Sequence, residues 1–209
     1  LNWTSNLDVT LSGYTPVSSE ATWTACHLAD VFYLNRSDRT PWYLRTTDVG
    51  FQNLATAAGT SPWVSNWSAK IIRASNGALC AYNVTKAGTT FQTMVKTSSF
   101  PKSGLVPDSW DPTVPTSNAT ENILAEFEGP ILDALGLGDL VIIYGQNEAW
   151  VQQFVAGQNI WNYDKLFANK GVINTNCVVE IDRRHFVFGT DDIWTHDGVN
   201  QRSICDART

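Results

Sequence analysis

A short apolar strand that ends in an aromatic residue, a polar turn and a second aromatic-bearing strand recur along this chain. The last two copies match position for position. Gly138-Asp-Leu-Val-Ile-Ile-Tyr144-Gly-Gln-Asn-Glu-Ala-Trp150 aligns with Asp182-Arg-Arg-His-Phe-Val-Phe188-Gly-Thr-Asp-Asp-Ile-Trp194, so that Gly145 matches Gly189 and Glu148 matches Asp192. The offset is about 44 residues, the length of one four-stranded propeller blade. Two looser copies precede them. One runs from Cys26 through Tyr33 to Pro41 and Trp42, and the other from Asn76 through Tyr82 to Phe91. Tyr33 and Tyr82 are about 49 residues apart and Tyr82 and Tyr144 about 62, and the excess falls near 102–120, which reads as an insertion. Each unit is a sheet that cannot bury its own faces, so such units stack on one another. The predicted fold is all-β, with about four antiparallel four-stranded blades of a β-propeller, loop insertions and at most one or two short helices. Four blades are at the low end for a propeller. Residues 1–209 are therefore expected to form a single propeller-like region that is part of a larger one. The competing explanation is that any antiparallel β protein shows strand–turn–strand units at this spacing.

Composition agrees with sheets. The 209 residues include nine Trp and one Met, and only 16% are charged. Aromatic and β-branched residues suit a pleated surface, whereas a helical bundle needs more Leu, Glu and Lys at helical spacing. Leu7–Leu11 reads as an edge strand and Gly13–Ser19 as a turn. Asn76-Gly77 is a hairpin signal between Trp67–Ala74 and Leu79–Val84. Asn118-Ala-Thr-Glu121 has the form of a capping box and predicts the one clear helix, stopped by Gly129-Pro130; a short helical or turn segment is expected around Lys165. Three closely spaced strands are expected at Cys177–Ile181, His185–Phe188 and Ile193–His196.

The net charge of −6 and the absence of any Lys/Arg cluster beyond Asp182-Arg183-Arg184-His185 argue against a phosphate-tracking surface. Cys26, Cys80, Cys177 and Cys205 form no Cys-x-x-Cys pair, so they are read as packed thiols rather than a zinc site or disulfides. The longest apolar runs are strand-sized, and neither a signal peptide nor a membrane span is expected. Five Asn-x-Ser/Thr sequons, at Asn2, Asn35, Asn66, Asn83 and Asn118, mark possible glycan acceptors and no more.

The C-terminal third, Val172-Ile-Asn-Thr-Asn-Cys177-Val-Val-Glu180 and His185-Phe-Val-Phe-Gly189-Thr-Asp-Asp192-Ile-Trp194-Thr-His196-Asp197-Gly198, resembles bacteriophage tail proteins of the nozzle and hub type, the tail tubular protein B-like family. Asn35-Arg-Ser-Asp38, Pro41-Trp42, Asn83-Val-Thr-Lys86, Met94-Val-Lys-Thr97, Ser109-Trp110-Asp111, Asn118-Ala-Thr-Glu121 and Gln146-Asn-Glu-Ala-Trp150 fit the same family, so the resemblance spans about Trp23 to Ile204. It implies a virion structural protein without enzymatic activity, cofactor or metal. Such proteins form a homo-oligomeric ring at the end of a short tail, assembled in the host cytoplasm. Their partners are other tail proteins (adaptor, fibre or needle), and DNA passes through during ejection without sequence-specific binding. Family members are usually longer, which implies further blades and argues against closure by these blades alone.

Several residues invite a chemical reading. Asp191, Asp192, His196 and Asp197 offer metal-ligand atoms, but acidic hairpin turns explain them. Glu121, Glu126, Glu128 and Asp133 could supply two glycosidase carboxyls only if the fold held them across a sugar cleft. His27, His185 and His196 lack a nucleophile motif. Tyr33, Trp42, Tyr82, Tyr144, Trp150, Phe188 and Trp194 recur at blade positions and are expected to pack between blades. Trp63, Trp67 and Trp110 lie in or near loops and are the candidates for intersubunit contact. The runner-up to a tail protein is a carbohydrate-binding or carbohydrate-cleaving propeller.

Overall fold

The computed structural model describes residues 21–155, 157 and 159–205. They form four antiparallel sheets of four strands, each in simple chain order. Blade 1 is β1 (Trp23–Leu28), β2 (Val31–Arg36), β3 (Trp42–Arg45) and β4 (Gln52–Asn53). Blade 2 is β5 (Trp67–Ser75), β6 (Ala78–Lys86), β7 (Thr89–Thr97) and β8 (Thr120–Ile123). Blade 3 is β9 (Asp133–Leu137), β10 (Leu140–Tyr144), β11 (Glu148–Phe154) and β12 (Trp161–Ala168). Blade 4 is β13 (Val178–Ile181), β14 (Arg184–Phe188), β15 (Ile193–His196) and β16 (Gln201–Ser203). First strands neighbour one another, β1 against β5, β5 against β9 and β9 against β13. The blades thus form a propeller ring with first strands innermost. The edge strand expected at Leu7–Leu11, the turn at Gly13–Ser19 and the sequon at Asn2 lie outside the described residues.

A two-residue turn joins the first two strands of every blade, as the facing pairs Leu28/Val31, Ser75/Ala78, Leu137/Leu140 and Ile181/Arg184 show. A tight hairpin matched to strand twist needs positive φ. Asn76 and Gly77 adopt φ 44° and 82°, as the dipeptide predicts, whereas Asp182 and Arg183 reach 50° and 59° without a glycine.

The predicted helix at Asn118 is instead strand β8, with Thr120–Ile123 paired to Met94–Thr97. Asn118 has φ 57°, outside the range of a helical turn, and two lysines of blade 2 hold Glu121 where a capping box would have turned it back. Lys165 likewise lies within strand β12. Among the described residues the only helical element is a 3-10 turn at Leu54–Thr56. Residues 98–119, which include most of the stretch read as an insertion, connect β7 to β8.

Side-chain alternation explains the core. In the two middle blades both faces are covered, so successive residues point into different seams. Leu79 and Ala81 face blade 1, while Cys80 and Tyr82 face blade 3. Val141 and Ile143 face blade 2, while Ile142 and Tyr144 face blade 4. That is why β6 and β10 read as nearly unbroken apolar runs. In blade 4, His185 and Val187 are buried towards blade 3, whereas Val179, Ile181 and Phe188 on other positions are about half exposed.

Polar groups tie the ring together near its axis. Asp133, at the start of β9, accepts hydrogen bonds from Arg73 Nη2 of blade 2 at 3.2 Å, from its neighbour Ala134 N at 2.8 Å and from Asn176 N at 2.8 Å. Arg73 Nε donates to Ala134 O at 2.6 Å. Asn176, in the approach to blade 4, donates through Nδ2 to Trp23 O of blade 1 at 3.0 Å. Blades 1 and 2 are joined separately. Thr24 Oγ1 accepts from Ile72 N at 3.1 Å and from Asn35 Nδ2 at 3.2 Å, and Asn35 also donates to Ala69 O at 3.0 Å. The sequon asparagine Asn35 is therefore a buried structural donor.

Gly171 lies on the β10–β11 hairpin of blade 3, where Val172 N donates to Gly145 O at 2.9 Å. A methyl group on Gly171 would lie 2.3 Å from Gly145 O and 2.4 Å from Gln146 O. Those are backbone atoms and give way little. Gly171→Ala is expected to cost about 2 kcal/mol or more, read as a lowered urea midpoint. An unchanged midpoint would show that the blade 3–blade 4 approach is looser than described.

Candidate functional site

Two groups of side chains were open to a functional reading, the recurring aromatics of the blades and the tryptophans of the loops. The structure brings the first group into the seams. Tyr82 donates to Gln152 Oε1 on β11 of the next blade at 2.7 Å. Tyr144 makes the equivalent reach into blade 4, with Oη 2.6 Å from both His185 Nδ1 and His196 Nε2. Tyr33 is buried in the blade 1–blade 2 seam, and its hydroxyl has no hydrogen-bond partner among the described residues. Phe188 departs from this pattern: it stands at the aligned position but is 49% exposed, and having no hydroxyl it cannot make the tyrosine's bond. Trp42, Trp150 and Trp194 are all buried near the start of third strands. Trp194 Nε1 donates to Gly171 O at 3.2 Å, and Trp150 Nε1 to Glu148 Oε2 at 2.8 Å.

The neighbours of the two histidines assign their tautomers. Gly198 N donates to His196 Nδ1 at 3.1 Å, so the proton of that ring sits on Nε2 and points at Tyr144. His185 Nε2 faces Gly136 O at 2.7 Å and must carry a proton to do so. Its Nδ1 is then the acceptor for the Tyr144 hydroxyl. A single directed chain results, from His196 through Tyr144 and His185 to Gly136 O, with both rings neutral. Burial lowers the pKa of both histidines. It takes His196 down to about 4, with His185 beside it as the second cause.

The acidic residues of the last hairpin are also engaged in the fold. Asp192 accepts from Lys170 Nζ at 2.9 Å and from Ser203 Oγ at 2.8 Å, and Asp197 closes a turn with Val199 N and Asn200 N. Among the described residues no group of three or more His, Cys, Asp or Glu is placed to hold a metal ion. The four cysteines are free thiols, and burial pushes those of Cys26 and Cys80 up to about 12. Of the carboxyls considered for glycoside cleavage, Asp133 is enclosed by Arg73 and backbone donors, and Glu121 is held by two lysines. Among the described residues no helix is long and apolar enough to cross a membrane.

The loop tryptophans require a correction. Trp63 and Trp110 are each 1% exposed, so their side chains offer no surface to a neighbouring subunit. They pack edge to face at 4.8 Å, Trp63 meets Trp67 at 5.7 Å, and Trp63 Nε1 donates to Trp67 O at 3.0 Å. Only Trp67 is partly open. It borders a cleft of 510 Å3 whose wall includes Trp63, Trp110, Pro112, Lys96 and Glu121. Lys96 is 1% exposed, and its ammonium is 2.8 Å from Glu121 Oε2 and 5.1 Å from the centre of the Trp67 ring. Lys86 reaches the other oxygen of Glu121 at 2.6 Å. Burial lowers the pKa of Lys96 even against this pairing. Burial pushes Glu121 upward, and the two ammonium groups more than offset it, leaving the carboxyl below its ordinary range. Sequence reading singled out each of these tryptophans but missed the lysines, because their meeting depends on the β6–β7–β8 register.

No family model matches the chain, and no curated protein matches it either. Among solved structures, the crystal structure of the computationally designed Ika4 protein is similar over 90% of this chain and 94% of that one, at 9% identity and a TM-score of 0.45.

The histidine chain generates a pH prediction. Both rings have lowered pKa values when folded, so their contribution is complete above the unfolded value near 6.5 and is lost as pH falls towards 4. About 3 kcal/mol of stability is expected to disappear over that window through His196. Urea unfolding between pH 7.5 and pH 4 reads the loss, and His196→Gln should flatten the dependence.

Proposed function

We propose that this chain is a structural protein of a short bacteriophage tail, a component of the nozzle or hub ring around the DNA exit channel. One observation carries the reading. The polar residues of the segment that resembles tail proteins are engaged in holding blades together. His185 and His196 are joined to Tyr144, Trp194 is bonded to Gly171 O, and Asp192 is clamped by Lys170 and Ser203. A segment whose imidazoles and carboxylates are committed in this way supports a wall better than a catalyst.

In this role the blades form a rigid wall against which neighbouring tail proteins pack. These are further copies of the chain in a ring, the adaptor, and a fibre or needle. The net charge of −6 opposes sticking of DNA during ejection. The protein is assembled in the host cytoplasm and carried in the virion, without a reaction of its own.

Immunogold labelling of purified particles, with antibody raised against the chain, tests this directly. Label is expected at the distal end of the tail, and particles made without the protein should retain DNA-filled heads but lack the tail tip. Absence of the chain from purified virions would overturn the reading.

A further inference from the structure

Buried apolar clusters close the seams between blades 1 and 2, 2 and 3, and 3 and 4. The approach of blade 4 to blade 1 is different. Among the described residues β13 and β1 do not pack on each other as the other neighbouring first strands do, and the two blades meet near the axis at the bond from Asn176 Nδ2 to Trp23 O. Both walls of the gap are apolar and open. On blade 4 the side chains pointing away from blade 3 include Val179, Ile181, Phe188 and Ile204, each between 43% and 50% exposed, with Phe186 and Ile193 half-buried among them. On blade 1, Thr24, Cys26 and Leu28 face blade 2, so Trp23, Ala25 and His27 take the opposite face, together with Phe32 across from His27. Trp23 and Phe32 are exposed as well. An open apolar patch of this kind with a polar rim marks an interaction surface.

Charge and shape narrow the occupant. Register places Arg184 beside Ile181 and Arg202 beside Thr195 on the gap face of blade 4. Both are exposed, and among the described residues neither takes part in an ion pair. The one carboxylate in the strands of blade 4, Glu180, alternates to the other face with His185. The arginines lie towards the β13–β14 hairpin, whereas Phe188, Ile193 and Ile204 lie at the far end. The gap is therefore basic at one end and apolar along the rest. Its walls converge on the Asn176–Trp23 bond, so it narrows towards the axis. A helix is about 10–12 Å across with its side chains. An extended strand is thinner and points alternate side chains to opposite sides, so it meets both walls at once. A second copy of this chain would bring a whole stack of blades, which walls tied together at the axis do not admit.

We propose that the gap between blades 4 and 1 binds an extended apolar segment of a partner protein, with carboxylates at the end that reaches Arg184 and Arg202. The proposal does not rest on the tail reading, because the two walls alone set the recognition. Its failure would leave virion localisation untouched.

The test titrates the full chain, by fluorescence anisotropy, into short labelled peptides of Val, Ile and Thr that end in a pair of Glu or a pair of Lys. The Glu-ended peptide is expected to bind at least about tenfold more tightly. Arg184→Glu with Arg202→Glu should reverse that preference with an unchanged melting temperature, since both positions are exposed. Phe188→Ser should weaken both peptides, and Ile123→Ser, at an exposed apolar position on blade 2, should leave binding intact. Absence of binding, equal binding of the two peptides, or a preference unmoved by the charge reversal would overturn the proposal. A dimer in analytical ultracentrifugation that Phe188→Ser dissolves would assign the face to a second copy instead. Binding that emerges only once residues 1–20 are removed would assign it to the chain itself, and either result would overturn the proposal too.

Discussion

The carboxylate of Asp133 is the point on which the rest of the ring depends. It lies fully buried at the start of β9, where ionised oxygen is costly unless it is paired and hydrogen-bonded. Burial pushes its pKa up, and the Arg73 guanidinium beside it is the first of the opposing influences. Its partners come from different parts of the chain: Arg73 from blade 2, and the backbone of Asn176 from the approach to blade 4. The Asn176 side chain then reaches blade 1. Hydrophobic burial in the three seams provides driving force without direction. A buried ion pair with fixed donors has direction, because any other blade spacing leaves a charge unpaired.

The same logic is repeated farther from the axis in milder form. Tyr82 and Tyr144 extend from second strands into third strands of the next blade, ending on Gln152 and on His196 with His185. The two seams thus use one geometry with different acceptors. Gln152 is indifferent to pH, whereas the histidine pair must stay neutral, so acid sensitivity is concentrated between blades 3 and 4. Phe188 lacks the hydroxyl and is half exposed, which fits the use of Asn176 rather than a tyrosine where blades 4 and 1 approach.

The blade pattern was legible because the alternation of side chains is a local property. The aromatic positions at Tyr144, Trp150 and Trp194, the Asn76-Gly77 hairpin and the first three strands of blade 4 could be read directly, whereas the short closing strand β16 was missed. Asn118–Glu121 misled because a capping box and a strand edge share the same residue types, and the choice was made by Lys86 and Lys96, over twenty positions away. Trp63 and Trp110 misled for a related reason. Loop position suggested exposure, but residues 98–119 fold back and bury both rings against Trp67. The cleft at Trp67 was not legible, since its walls come from blade 1, blade 2 and the long β7–β8 connection. What survives from the sequence is a set of tryptophans worth examining, with their roles redistributed between core and cleft.

The central claim is that buried polar contacts between blades, and not apolar packing alone, specify how the ring is assembled. A double-mutant cycle on Arg73 and Asp133 measures this most directly, with Arg73→Met, Asp133→Asn and the pair compared by urea unfolding at neutral pH. Each single substitution is predicted to cost about 3–5 kcal/mol, since it strands a buried partner. The double substitution should cost much less than their sum, with a coupling of about 2 kcal/mol or more. Losses that add to within about 0.5 kcal/mol would contradict the account and leave packing as the sole organiser of the blades.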